Sequence, residues 1–165
     1  MTDRLTPQQR HICMSHIRGK NTQPELIVRR YLHANGYRFR IHVKRLPGTP
    51  DIVLRKYKTA IFVNGCFWHG HEDCKLYVIP KTNTTFWQDK IERNKKRDEE
   101  AYYQLKKMGW HVVRLWECQL STKNRAKYLC SLLFTLNHLM LVNLGAKPIK
   151  SYPADDDQLK YAAEE

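Results

Sequence analysis

The chain has 165 residues, 42% hydrophobic and 11% aromatic, which excludes a disordered chain and suits one compact domain with a loose terminus. Its 29 Lys and Arg against 16 Asp and Glu leave a formal charge of +13. That excess points to nucleic acid or an anionic membrane surface as partner, or to no more than a solubilising surface.

Residues 1–22 are polar and basic with scattered Ile12, Met14 and Ile17, an arm or short helices ahead of a main domain over 23–145. Pro24 suits the first turn of a helix that ends at Asn35-Gly36, with Leu26, Ile27, Tyr31 and Ala34 as its inner face. Tyr37, Phe39, Ile41 and Val43 alternate with Arg38, Arg40 and His42, the pattern of a half-buried strand with a basic outer face. Leu46-Pro-Gly-Thr-Pro50 forces a loop, and Asp51 then opens a short strand through Leu54. Tyr57-Lys58 turns the chain into a strand over 59–63. Residues 64–83 show no clean period. A long helix is expected from Thr84 to Met108 and bent near Asn94, its broken stripe being Phe86, Trp87, Ile91, Ala101, Tyr102, Leu105 and Met108. Gly109 stops it, and 110–116 reads as a strand close to the sheet centre. A last helix over 122–142 should bury Cys130, Leu133, Leu136, Leu139 and Met140, and the acidic tail over 146–165 looks peripheral. A helix between the strands at 59–63 and 110–116 permits a parallel crossover, so the expected fold is α/β, a mixed sheet with helices on both sides.

No 18-residue apolar span occurs and the first residues lack a secretion signal, so a cytoplasmic protein without membrane contact is expected. An odd count of five cysteines argues against a complete disulfide framework. Cys66-Phe-Trp-His-Gly-His-Glu-Asp-Cys74 crowds ligand types into nine positions. Cys66, His71 and Cys74, with Cys118 returning after the last strand, make a closed Cys₃His set suited to structural zinc, which would anchor an irregular loop of about twenty residues. The plain alternative is a set of buried free cysteines and surface histidines.

Asp51 at a strand mouth can hold Mg²⁺ through oxygen, and the Val63 carbonyl can reach the same ion if the two strands pair. Glu25 is a candidate outer acid, Asp98 a candidate water-positioning acid, and His69 a candidate proton acceptor held near Cys66. Each has a bland reading: a turn cap for Asp51, a helix first-turn charge for Glu25, a counter-charge to Arg93, Lys95, Lys96 and Arg97 for Asp98, and a solvent-facing ring for His69. Asp51 is followed by Ile52-Val-Leu-Arg55, so the Glu-x-Lys of common acid-plus-lysine nucleases is missing and another group must serve as base. Phe67, Trp68 and Trp87 can wedge between bases if exposed, or belong to the core. Lys75, Lys81, Lys90, Arg93, Lys95, Lys96 and Arg97 are available for phosphates.

Over residues 10–120 the chain resembles the very short patch repair (Vsr) endonucleases, mismatch nicking enzymes with a restriction-endonuclease-like fold. The resemblance runs through Met14-Ser15, Ile17-Arg18-Gly19-Lys20-Asn21-Thr22, Pro24-Glu25-Leu26, Pro47-Gly48, Pro50-Asp51 and Ile61-Phe62. Its most specific block is Gly65-Cys66-Phe67-Trp68-His69 with His71, followed by Phe86-Trp87, Lys90-Ile91, Asn94, Arg97-Asp98, Leu105, Gly109-Trp110 and Trp116-Glu117-Cys118. It implies Asp51 and the Val63 carbonyl as ligands of catalytic Mg²⁺, two ions in all, with His69 as the catalytic histidine and Glu25 and Asp98 organising its surroundings. It also implies one structural Zn²⁺ on Cys66, His71, Cys74 and Cys118, intercalation by Phe67, Trp68 and Trp87, and an N-terminal arm that embraces DNA. The implied reaction is a nick 5′ of the thymine in T:G mispairs left by 5-methylcytosine deamination, made by a monomer that cooperates with mismatch-repair proteins. Related alternatives are a restriction-like nuclease with another site or lesion, and a zinc-stabilised DNA-binding protein without turnover.

Two positions depart from the family pattern. Glu72 and Asp73 separate His71 from Cys74 where one residue is usual, so either the loop bulges or Asp73 replaces Cys74. Asn64 stands where a histidine commonly assists the catalytic waters, and Asn cannot carry a proton charge as His can.

Overall fold

The computed structural model describes residues 19–143 together with residues 6, 8, 9, 12 and 15. Met14, Ile17 and Arg18 of the expected arm, Cys13, and the tail over 146–165 lie outside the described residues. The element order is α1 (Gln23–Ala34), β1 (Arg40–Ile41), β2 (Ile52–Leu54), β3 (Thr59–Asn64), α2 (Thr84–Lys107), β4 (His111–Trp116) and α3 (Arg125–Asn143). Short 3₁₀ turns at Arg55–Tyr57 and Glu117–Leu120 join β2 to β3 and β4 to α3. The sheet order is β1-β2-β3-β4. β1, β2 and β3 pair antiparallel, and α2 carries the chain across to β4, which pairs parallel to β3. This is the expected mixed sheet between helices. Among the described residues no helix is long and apolar enough to cross a membrane.

Alternation along β3 splits the core in two. Ile61 packs with Val28 and Leu32 of α1, Leu115 of β4 and Leu129, Leu132 and Leu136 of α3. Ala60 and Phe62 face the other way, onto Tyr102 and Leu105 of α2. The adjoining loop depends on close approach at Gly48, whose φ is +70° and where a Cβ would stand 2.8 Å from that of Ala101 and 3.1 Å from the Phe62 ring. That approach seats the Pro-Gly-Thr-Pro segment against β3 and α2 immediately ahead of Asp51.

Five expectations need correction. The strand expected over 37–43 shrinks to Arg40–Ile41, because His42 adopts a left-handed φ of 47° that breaks the pleat. β4 is an edge strand rather than a central one; its aliphatic residues pack on helices at both faces, which mimics a central position in sequence. On α1 the buried face is Glu25, Val28, Arg29 and Leu32, rotated from the expected stripe, and Ala34 is exposed. On α3 the buried residues are Leu129, Leu132 and Leu136, while Cys130 is exposed. In the long helix, Phe86 and Met108 are likewise exposed, at 52% and 53%.

Candidate active site and metal centre

The cleft at the mouth of the sheet begins with the start of α1. Thr22 and Glu25 form a capping box that fixes this end of the helix. Glu25 Oε1 accepts from the Thr22 backbone N–H and hydroxyl; Oε2 accepts from the Asn21 N–H and from Arg29 Nη2 at 2.5 Å. Its acceptor capacity is therefore largely spent within the protein, although it borders the cleft. Arg29 is only 9% exposed, so Glu25→Ala strands a buried guanidinium as well as removing the cap. The expected cost is about 3 kcal/mol, read as a lowered urea midpoint at unchanged m-value.

Asp51 lies just ahead of β2, opposite the far end of β3, and its Oδ2 accepts the Val63 N–H at 2.8 Å. Burial is the main cause that pushes its carboxyl above the ordinary range, with Glu25 adding repulsion, against the lowering effects of the Val63 N–H, His42 and Arg29. A raised folded-state pKa means that the native chain holds the proton to higher pH than the unfolded one, so stability falls as pH rises through that window. Asp51→Asn is therefore expected to melt higher than the native chain at neutral pH in chelator. The advantage should vanish below about pH 4, where the carboxyl is protonated in both states. Thermal melts across pH 3–8 check this.

His69 and Asp98 form a dyad across the loop and α2: Asp98 Oδ2 accepts from His69 Nδ1, with the Arg97 guanidinium 3.6 Å from the other oxygen. In the neutral ring, Nε2 is then left as acceptor. Asn94 holds the same loop by donating to the Trp68 carbonyl at 3.0 Å. Asn64 is buried, and its Nδ2 donates to the Tyr102 hydroxyl at 2.9 Å. Asp51, His69, Glu25, Val63 and Asn64 border one cleft of about 610 Å³, with Trp68 and Arg97 also in its lining. Asp98 sits behind His69 in an adjoining cavity of about 250 Å³.

One residue at the cleft escaped the sequence reading. His42, assigned there to a solvent-facing strand position, turns inward; a ligand atom of each of Glu25, His42 and Asp51 lies within 4.8 Å of the others. Neither spacing nor neighbours flag it, since the cause is the left-handed backbone at that residue.

The four donors Cys66, His71, Cys74 and Cys118 also converge within 4.8 Å. His71 Nδ1 lies 3.5 Å from Cys66 Sγ and 3.4 Å from Cys118 Sγ, and the ring stacks on Trp116 at 4.1 Å and 4°. Leu76 N–H points to Cys74 Sγ at 3.5 Å and holds that thiol below its ordinary pKa, whereas burial pushes the Cys66 thiol up to about 12. Three thiols and an imidazole fit Zn²⁺, whose charge would offset the cost of ionising a buried thiol. The longer His71–Cys74 spacing is taken up as a bulge, with exposed Asp73 at a φ of 54°.

Phe67, Trp68 and Trp87 are half-buried and interlocked edge-to-face, with centroids 5.2–6.0 Å apart. Lys90 lies over the rings of Trp68, Phe86 and Trp87 at 5.5–5.7 Å. Not every nearby cation is free for phosphates, since Lys95 is bound to Glu72 at 2.7 Å.

The arrangement offers a candidate active-site cleft beside a loop whose cysteines and histidine could ligate a metal. The family model described as DNA mismatch endonuclease Vsr matches residues 2–76. Type II nicking enzyme V.XorIIP of Xanthomonas oryzae pv. oryzae is 50% identical over 121 residues, 73% of this chain and 88% of that protein. Type II nicking enzyme V.NmeAIP of Neisseria meningitidis serogroup A is 47% identical over 123 residues, 74% and 87% of the two chains. DNA mismatch endonuclease Vsr of Escherichia coli K12 is 38% identical over 112 residues, 68% and 71% of the two. The chain belongs to the Vsr family of DNA-nicking endonucleases.

Proposed function

We propose that this chain is a divalent-metal-dependent DNA endonuclease that nicks one strand, with a site or lesion preference of its own. The reading is carried by one observation: Asp51 and the Asp98-backed His69 border the same cleft, next to the Phe67-Trp68-Trp87 cluster. Asp51 and the Val63 carbonyl would hold the catalytic Mg²⁺. Bound there, the cation would supply Lewis-acid stabilisation of developing oxygen charge and a more acidic water. His69 accepts the proton at Nε2 while Asp98 fixes the ring and stabilises its charged form. Asn64 can bond a water through its oxygen but cannot take its proton. Glu25 shapes the cleft wall. Cys66, His71, Cys74 and Cys118 would bind structural Zn²⁺ and keep His69 in place.

The finer reading is the thymine of a T:G mispair. It is supported by the family model's description as a mismatch endonuclease and by the aromatic cluster, which would wedge into a weakened base step more cheaply than into a sound one. The relatives named Type II nicking enzymes support the nicking of one strand, the part common to both readings. The basic residues within 1–22 would add to duplex binding, the protein acting as a monomer in the cytoplasm alongside mismatch-repair proteins. The test is a Mg²⁺ titration with end-labelled duplexes carrying T:G, T:A and the other mispairs in varied flanks. Selective nicking beside the mispaired thymine supports the finer reading, cutting of another duplex supports the broader one, and binding without a nick in any divalent ion overturns both.

A further inference from the structure

The inner position of His42 has no counterpart in the roles assigned so far. Its side chain is 15% exposed, and it sits on a non-glycine left-handed backbone, the kind of strain that persists when surrounding contacts fix it. The contacts are specific. Arg29 Nη2 donates to His42 Nε2 at 2.9 Å, and a guanidinium has no lone pair with which to accept in return. Nε2 also approaches two acceptor oxygens, Asn21 Oδ1 at 3.4 Å and Glu25 Oε2 at 3.5 Å, but the Arg29 contact is the shortest of the three, which favours Nε2 as the acceptor and the ring hydrogen on Nδ1. Arg29 is itself held by Glu25 and by Asn21 Oδ1 at 2.6 Å, so a buried, built support stands behind the imidazole. The nitrogen that carries the hydrogen is the one nearest Asp51, 3.9 Å from Oδ1. That gap exceeds a direct hydrogen bond and suits one bridging water or a small turn of the carboxylate. The other oxygen, Oδ2, is already fixed by the Val63 N–H at 2.8 Å.

We propose that His42 is a positioning residue of the catalytic metal site: locked by Arg29 with its hydrogen on Nδ1, it restrains Asp51 Oδ1 while the Val63 N–H restrains Oδ2. The inference rests on the nuclease reading above. Each Asp51 oxygen then spends one lone pair on a protein donor and keeps the other for the cation, so the carboxylate meets the metal in one orientation instead of several. Restraint of a ligand from behind is commonly worth roughly 10- to 100-fold in metal affinity or activity.

The side-chain geometry supplies its own control. Asn places an N–H donor near the position of Nδ1 and tolerates a left-handed backbone, whereas Gln reaches towards the position of Nε2. Relative to the native chain, His42→Ala and His42→Gln should raise the half-saturating Mg²⁺ for nicking about tenfold and lower kcat, with KM for the duplex little changed, and His42→Asn should recover most of the loss. Calorimetric titration with Mn²⁺ on the protein–duplex complex should show the same order of affinities. Independently of activity, ¹⁵N imidazole shifts should report a hydrogen on Nδ1 of His42 and none on Nε2. An unchanged metal dependence in His42→Ala, an Asn variant as impaired as the Ala variant, or a hydrogen on Nε2 would overturn the proposal. Should the native chain nick no duplex, the nuclease reading fails alone, and the Mn²⁺ affinities and the imidazole shifts still decide the role of His42.

Discussion

Asp51→Ala is expected to lower nicking by at least about 10³-fold, with duplex affinity retained in a binding assay at the same salt. The magnitude follows from what is removed. Lewis-acid stabilisation of transition-state charge is worth several kcal/mol, and each ~1.4 kcal/mol is a factor of ten in rate. Asp51 is the residue in the cleft whose carboxylate lies within reach of the Val63 backbone, while Glu25 is committed to Arg29 and the helix cap, so no neighbour can take its place without giving up a structural contact. Asp98→Asn should fall less, because it keeps a hydrogen-bonding group beside His69 but loses the negative charge that stabilises a protonated ring. Both variants should bind DNA like the native chain, since phosphate contacts would come from basic side chains that neither substitution removes. An Asp51→Ala protein that nicks within tenfold of the native rate would remove the catalytic assignment.

The second large effect concerns the cysteine cluster. Zinc bound at the cluster and present at a thousandfold above its Kd would stabilise the native chain by about 4 kcal/mol, equivalent to roughly 12 °C for a domain of this size. Stripping with a strong chelator, or Cys118→Ala, should cost on that order, seen as a lower Tm together with loss of one equivalent of zinc per chain. Cys118 is the informative choice because it follows β4, whereas Cys66, His71 and Cys74 all lie in the loop after β3; a metal held by all four would tie that loop to the neighbouring strand. Activity should fall with stability, because His69 lies between Cys66 and His71 and has no regular secondary structure of its own to hold it. A chain with no bound metal and an unchanged melt in chelator would contradict this assignment.

The parts of this molecule that were legible in sequence are those where one local signal dominated. β3 is a run of β-branched and aromatic residues, the crossover helix is long and ends at a glycine, and the cysteine-histidine spacing announces itself. Geometry was lost where a charged pair or a single backbone angle overrode the pattern. The inner face of α1 was misplaced because an apolar count discards Glu25 and Arg29, which are buried only by virtue of each other. α3 is apolar nearly all round, so its period could not distinguish Cys130 from Leu129. His42 reads as one more basic residue in an alternating strand, and only its positive φ turns it into the cleft. The edge position of β4 depends on which strand comes last in the sheet, and no stretch of sequence states that locally.

The bulge at Asp73 has a practical corollary. Asp73 is exposed to solvent and is not one of the four converging donors, so length should be able to change there while the sulfurs and the imidazole stay put. A short peptide epitope or a spin label grafted between His71 and Cys74 would ride within a few residues of the cluster and report on it without being part of it. The same freedom gives natural sequences room to drift by insertion inside an otherwise tightly spaced segment.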